Sequence, residues 1–171
     1  MTPPRILIAC IGNIFLGDDA FGVEVGRRLA GRPLPDGVRV EDYGIRSLDL
    51  AFALLDGPET TIFVDATTRG GAPGSLYVIE PDLDAFDGVD PGPAVVEAHT
   101  MNPISVLSLV RTMGGTCGRI LLVGCEPETL GGADGAMGLS EPVQRAVDEA
   151  VAMIDSLVVR ILEERVSRAI G

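Results

Sequence analysis

The apolar positions of this chain alternate between two rhythms, unbroken short runs and helical stripes. Residues 6–11, Ile-Leu-Ile-Ala-Cys-Ile, form an apolar run flanked by polar and turn-forming residues. Such a run predicts a strand buried on both faces. Gly12-Asn13 ends it, because both residues tolerate left-handed backbone. Phe21, Val25 and Leu29 then recur at i, i+4 and i+8, which predicts a helix with one buried face. Two aspartates, Asp18 and Asp19, stand at its start.

The same alternation continues. Val38, Val40 and Asp42 mark a short strand. Ser47 is positioned to cap a helix carrying Leu48, Ala51, Phe52 and Leu55 on one face. Thr61–Asp65 reads as a third strand ending in an acid, and Ser75–Glu80 as a fourth. Pro81–Pro93 is long, acidic and rich in Pro and Gly, which predicts a projecting loop. Ala94–Ala98 is a candidate short extended piece before His99. Asn102-Pro103 suits a helix start, with Val106, Leu109, Val110 and Met113 as the apolar stripe. Arg119–Cys125 is a fifth strand, and Ser140 and Pro142 open a last helix whose Val143, Val147, Ala150, Val151, Ile154, Val158 and Ile161 keep the helical period. Strands alternating with helices predict an α/β fold with a mostly parallel sheet covered on both faces. Too few residues precede 75–80 for a helical crossover, so that strand is the candidate for antiparallel pairing.

Composition narrows the functional classes. With 171 residues and 46% hydrophobic content, residues 1–171 read as a single domain with a sizeable core. The net charge of −12 argues against nucleic-acid binding and against an anionic membrane surface. No apolar run approaches the ~18 residues of a membrane span. Met-Thr-Pro-Pro-Arg leads straight into a strand without signal-peptide features, so a cytoplasmic location is expected. Cys10, Cys117 and Cys125 form no C-x-x-C pair, and Cys10 and Cys125 read as small buried hydrophobes.

The chemistry turns on a single histidine, His99. No G-x-S-x-G elbow, H-E-x-x-H zinc motif, Walker A loop or G-x-G-x-x-G fingerprint is present. Asp19 follows the first strand, Asp65 ends the third and His99 precedes a helix, so a parallel sheet can gather all three over its carboxyl edge. Two carboxylates and an imidazole suit a divalent ion with open positions, and would accept nickel, zinc, manganese or cobalt. Each also has an ordinary reading: Asp65 as a turn former, His99 as a loop or capping residue, Asp18 as a cap for free backbone N–H groups.

At these residues a resemblance appears. Gly-Asn-Ile-Phe-Leu-Gly-Asp-Asp-Ala-Phe-Gly-Val over 12–23 resembles the opening motif of hydrogenase maturation proteases. Val64-Asp65-Ala66, Pro73-Gly74, the segment around His99, Val123-Gly124 with Glu126-Pro127, and Gly138-Leu139-Ser140 follow in the family's order. The resemblance implies a three-layer α/β/α sandwich with a mostly parallel five-stranded sheet. It also implies an endopeptidase that trims the C-terminus of a [NiFe]-hydrogenase large-subunit precursor. The metal-contacting trio would fall at Asp19, Asp65 and His99, with nickel presented by the precursor rather than held in a permanent cage. The protein would act as a monomer. Asp18 is the candidate general base, set against its capping role. The family's acid after the second strand is usually followed by two glycines, and Asp42-Tyr43-Gly44 matches only in part. The segment 44–49 is a candidate for substrate selection.

Rival classes are a conventional metallohydrolase acting on small amides or peptides, a non-enzymatic protein that binds nickel or the large subunit, and a nucleotide-binding domain. The missing phosphate loop disfavours the last.

Overall fold

The computed structural model describes residues 2–86 and 103–171. Its scaffold starts with β1 (Ile6–Ile11), every residue of which is buried. β1 lies between β2 (Val38–Gly44) and β3 (Thr60–Ala66), parallel to both. β5 (Arg119–Cys125) runs parallel to β3 on its far side, and β4 (Leu76–Ile79) closes that edge antiparallel to β5. The sheet order is therefore β2-β1-β3-β5-β4. The short connection from β3 to β4 holds no helix, which accounts for the antiparallel pairing expected of residues 75–80.

Alternation along β1 builds two cores. Ile6, Ile8 and Cys10 face α1 (Phe21–Ala30) and the long α4 (Glu141–Ile170), meeting Phe21, Val25 and Leu29 and then Val143, Val147 and Ile154. Leu7, Ala9 and Ile11 face the other way, onto Leu50 and Leu54 of α2 (Ser47–Leu55) and Val106 and Val110 of α3 (Pro103–Thr112). The result is a three-layer α/β/α sandwich. Despite the 30-residue length of α4, no helix among the described residues is long and apolar enough to cross a membrane.

Three local expectations shift. α2 buries Leu50, Ala51 and Leu54 and leaves Leu48 and Phe52 about half exposed. Its sequence is apolar on almost every side, so periodicity alone could not choose the buried stripe. Ser47 is the first residue inside that helix, and no side chain caps it. The long 81–93 segment begins with a short 3-10 turn over Leu83–Phe86; its remainder, the extended piece at 94–98 and the cap Asn102 lie outside the described residues.

Two glycines set the edge where chemistry would occur. A Cβ at Gly22 would come within 2.1 Å of the Ile11 carbonyl oxygen and 2.3 Å of that of Val64. At Gly12 it would lie 2.0 Å from the carbonyl oxygen of Asp19. Hydrogen at these two positions lets the start of α1 rest directly on the carboxyl ends of β1 and β3.

Candidate active site

That close approach delivers Asp19 to the sheet edge. It sits in a 3-10 turn over Gly17–Ala20, between β1 and α1, and is half-buried. One carboxylate oxygen accepts the Asn13 N–H at 2.9 Å. Asp65, next to last in β3, is only 8% exposed. It pairs in register with Gly124 of β5, over which the Thr67 side chain packs.

Both acids line one cavity of about 480 Å³. Phe63, Leu107, Ile120 and Leu122 contribute an apolar wall to it. Burial raises the Asp65 carboxyl well above the usual range, and the nearby Asp19 charge pushes it further; the Ala66 N–H opposes both. Asp19 is raised too, by burial, against the Asn13 N–H that favours its charged form. Two carboxylates thus share a poorly solvated site with few donors, and they repel each other. A divalent cation would relieve both costs, and oxygen donors suit such an ion. Among the described residues no third His, Cys, Asp or Glu completes a metal-binding group. His99, expected as the third member, lies outside the described residues.

Asp18 behaves differently. It is fully buried, and it caps neither its own turn nor α1. Its Oδ2 accepts the N–H groups of Glu128 at 2.8 Å and Thr129 at 3.0 Å and the Ser140 hydroxyl at 2.8 Å. Its Oδ1 accepts the Ser140 N–H at 2.7 Å. The capping role expected for this residue is therefore replaced by a tie across the fold, from the start of α1 to both ends of the β5–α4 loop. Backbone bonds reinforce it: the Asp18 N–H reaches the Thr129 carbonyl at 2.9 Å, and the Gly17 N–H that of Ala136 at 2.8 Å.

A third buried acid, Glu126, has no role that the sequence alone assigns. It follows β5 directly and is only 4% exposed. It accepts the Arg69 N–H at 2.8 Å, the Gly70 N–H at 3.1 Å and the Tyr77 hydroxyl at 2.9 Å. These donors, the Arg69 N–H foremost, hold its carboxyl below the usual range against the effect of burial. An acid immediately after an apolar strand was the available signal, the same one that marked Asp65. Asp42 remains exposed, and its Oδ1 accepts the Gly44 N–H at 2.8 Å, closing a turn. It does not line the cavity.

Comparison with known proteins places this arrangement in context. The family model for hydrogenase maturation protease matches residues 23–157. The chain is 31% identical over 153 residues to the hydrogenase expression/formation protein HupD of Rhodobacter capsulatus, covering 87% of this chain and 70% of that protein. It is 33% identical over 153 residues to HoxM of Azotobacter vinelandii, with coverage of 88% and 70%. Among solved structures, the hydrogenase maturating endopeptidase HybD of Escherichia coli superposes with a TM-score of 0.71 at 27% identity, over 91% of this chain and 93% of that one. A hydrogenase 2 maturation peptidase from a Thaumarchaeota archaeon gives 0.67 at 30% identity, over 90% and 97%.

Proposed function

The chain belongs to the hydrogenase maturation protease family, and on that premise we propose that it is an endopeptidase removing the C-terminal extension of a [NiFe]-hydrogenase large-subunit precursor. The observation carrying this reading is the pair Asp19 and Asp65, two carboxylates with raised proton affinity on the wall of one cavity. In this reading nickel arrives with the precursor and is part of the substrate. Asp19, Asp65 and His99 supply contacts to it, and the incomplete donor set leaves room for the precursor's own ligands.

The chain's residues then divide the work. Asp19 and Asp65 hold the nickel-bearing end of the precursor against the sheet edge, which fixes the scissile bond relative to the cavity. Burial of Asp65 keeps bulk water from screening that contact. The ion, when present, can polarise the scissile carbonyl or lower the pKa of an attacking water. Asp18, earlier a candidate base, is assigned here as a positioning residue, because its two oxygens already accept four hydrogen bonds. Whichever site carboxylate oxygen is free of the ion is then the acceptor for the proton of the attacking water.

The reading is tested by intact mass of the candidate large subunit, with and without this protein and with and without nickel. Loss of a C-terminal peptide is expected only when both are present. Binding without any change of length would instead indicate a non-enzymatic partner. Activity on generic peptides, with a chelator-resistant metal after purification, would indicate a conventional metallohydrolase.

A further inference from the structure

The cavity beside Asp65 is far larger than two carboxylates and an ion require, and most of it is hydrocarbon. Phe63, Ile79, Leu107, Ile120, Leu122 and Leu130 line it. Among the described lining residues one is cationic, Arg69 in the β3–β4 loop. Its guanidinium lies 5.8 Å from the centre of the Tyr77 ring, and its backbone N–H is bonded to Glu126. The Tyr77 hydroxyl binds the same Glu126 carboxylate, so one buried acid fixes both the loop and the ring beneath the guanidinium. The chain has 25 acidic residues against 13 basic ones. Arg28, Arg32, Arg46 and Arg119 all pair with carboxylates. Among the described residues no carboxylate pairs with Arg69.

A cation with no carboxylate partner among the described residues, on the rim of an apolar cavity in a chain this acidic, is complementary to a ligand that is apolar at one point and anionic at the next. Resting on the endopeptidase reading above, we propose that Arg69 is a specificity-determining residue. It binds a carboxylate in the precursor's C-terminal extension while a neighbouring apolar side chain of that extension fills the cavity. The carboxylate is either an Asp or Glu side chain or the terminal carboxylate. Arg69 also keeps that negative charge away from Asp19 and Asp65, which would otherwise repel it.

The test uses the full chain and fluorescently labelled synthetic peptides matching the precursor's extension, in nickel-free buffer so that binding is read without cleavage. Three peptides are compared: unmodified, with Asp and Glu changed to Asn and Gln, and with an amidated C-terminus. For the wild-type protein, anisotropy is expected to show about fivefold weaker binding when the relevant carboxylate is removed, a preference that fades at high salt. The affected peptide identifies which carboxylate is read. Arg69→Gln should bind all three equally, at the weak level; where the side-chain carboxylate is the one read, Arg69→Glu should regain affinity for a fourth peptide with Lys in its place. In cleavage of the nickel-loaded precursor, Arg69→Gln should raise KM with kcat unchanged. Equal binding of all three peptides by the wild type, or no effect of Arg69→Gln, would overturn the proposal. So would a lower kcat with a shifted pH profile and unchanged KM, which would make Arg69 a charge balance for Asp65. Failure of the wild type to shorten the precursor would refute the endopeptidase reading instead, and the peptide titrations would still decide whether Arg69 reads a carboxylate.

Discussion

Asp18 and Asp19 are neighbours in the chain, and Asp65 and Glu126 each stand at the carboxyl end of a parallel strand, yet the four acids form two opposite pairs. Asp18 and Glu126 are buried and richly supplied with donors: two backbone N–H groups plus both polar groups of Ser140 for the first, two backbone N–H groups and a tyrosine hydroxyl for the second. Asp19 and Asp65 are held with few donors, and their proton affinities rise. Residue type and address are shared; the number of N–H and O–H groups aimed at each carboxylate separates them. A saturated carboxylate stabilises the fold and has little left to offer a ligand. An undersupplied one costs stability in the free protein, and a cation would satisfy it.

Substitutions can break this contrast. The largest expected effect is on activity: Asp19→Ala, Asp65→Ala or His99→Ala should each lower cleavage of nickel-loaded precursor by about 10³-fold, measured as the rate of product by intact mass. Near wild-type turnover by His99→Ala would remove it from the trio.

Next is stability at Asp18. Asparagine keeps the shape but loses the charge, and its amide would turn a donor towards N–H groups that need an acceptor. A loss of about 2–4 kcal/mol is expected. That corresponds to a drop in Tm of roughly 4–16 °C for a chain of this size. An unchanged Tm would show that the tie between the start of α1 and the 128–140 loop contributes little.

Asp65→Asn should do the reverse, raising Tm by a few degrees at neutral pH while abolishing cleavage. The sign follows from its raised proton affinity. The fold favours the protonated carboxyl, so that contribution is complete below the ordinary Asp range and is lost as pH rises through the folded value. Removing the ionisable group should therefore stabilise most at neutral pH, with the gain vanishing towards about pH 4.

Glu126→Gln is expected to have the smallest effect, a modest loss at neutral pH. Its folded carboxyl is lowered, so its contribution is present above the ordinary Glu range and is lost as pH falls through the folded value. The gap between variant and wild type should close on acidification, the opposite trend to Asp65→Asn. Thermal melts of both variants across pH 3–8 would show whether the two trends diverge.

Much of the layered fold was legible in the sequence because its signals are local. The run at 6–11, the stripe Phe21, Val25 and Leu29, and the short connection before β4 each carry their meaning within a few residues. That Asp19 and Asp65 meet at one sheet edge was legible, because parallel strands deliver their carboxyl ends to the same side. The partners of Asp18 were not, since they lie 110 to 122 residues away and most are backbone N–H groups, which no side-chain pattern marks. Nor was the buried face of α2, where nearly every residue is apolar and only packing chooses. The cavity wall draws on β3, β4, β5 and α3, so it exists only once the sheet has assembled.

The most direct measurement compares Asp18→Asn with Asp65→Asn on nickel-loaded precursor, by intact mass, at a temperature where circular dichroism shows both variants folded. Asp18→Asn should still shorten the precursor, slowed no more than about tenfold, while the more stable Asp65→Asn leaves it at full length. Processing by Asp65→Asn at a rate near wild type, or its complete loss in folded Asp18→Asn, would contradict the division of the four acids into a structural pair and a site pair.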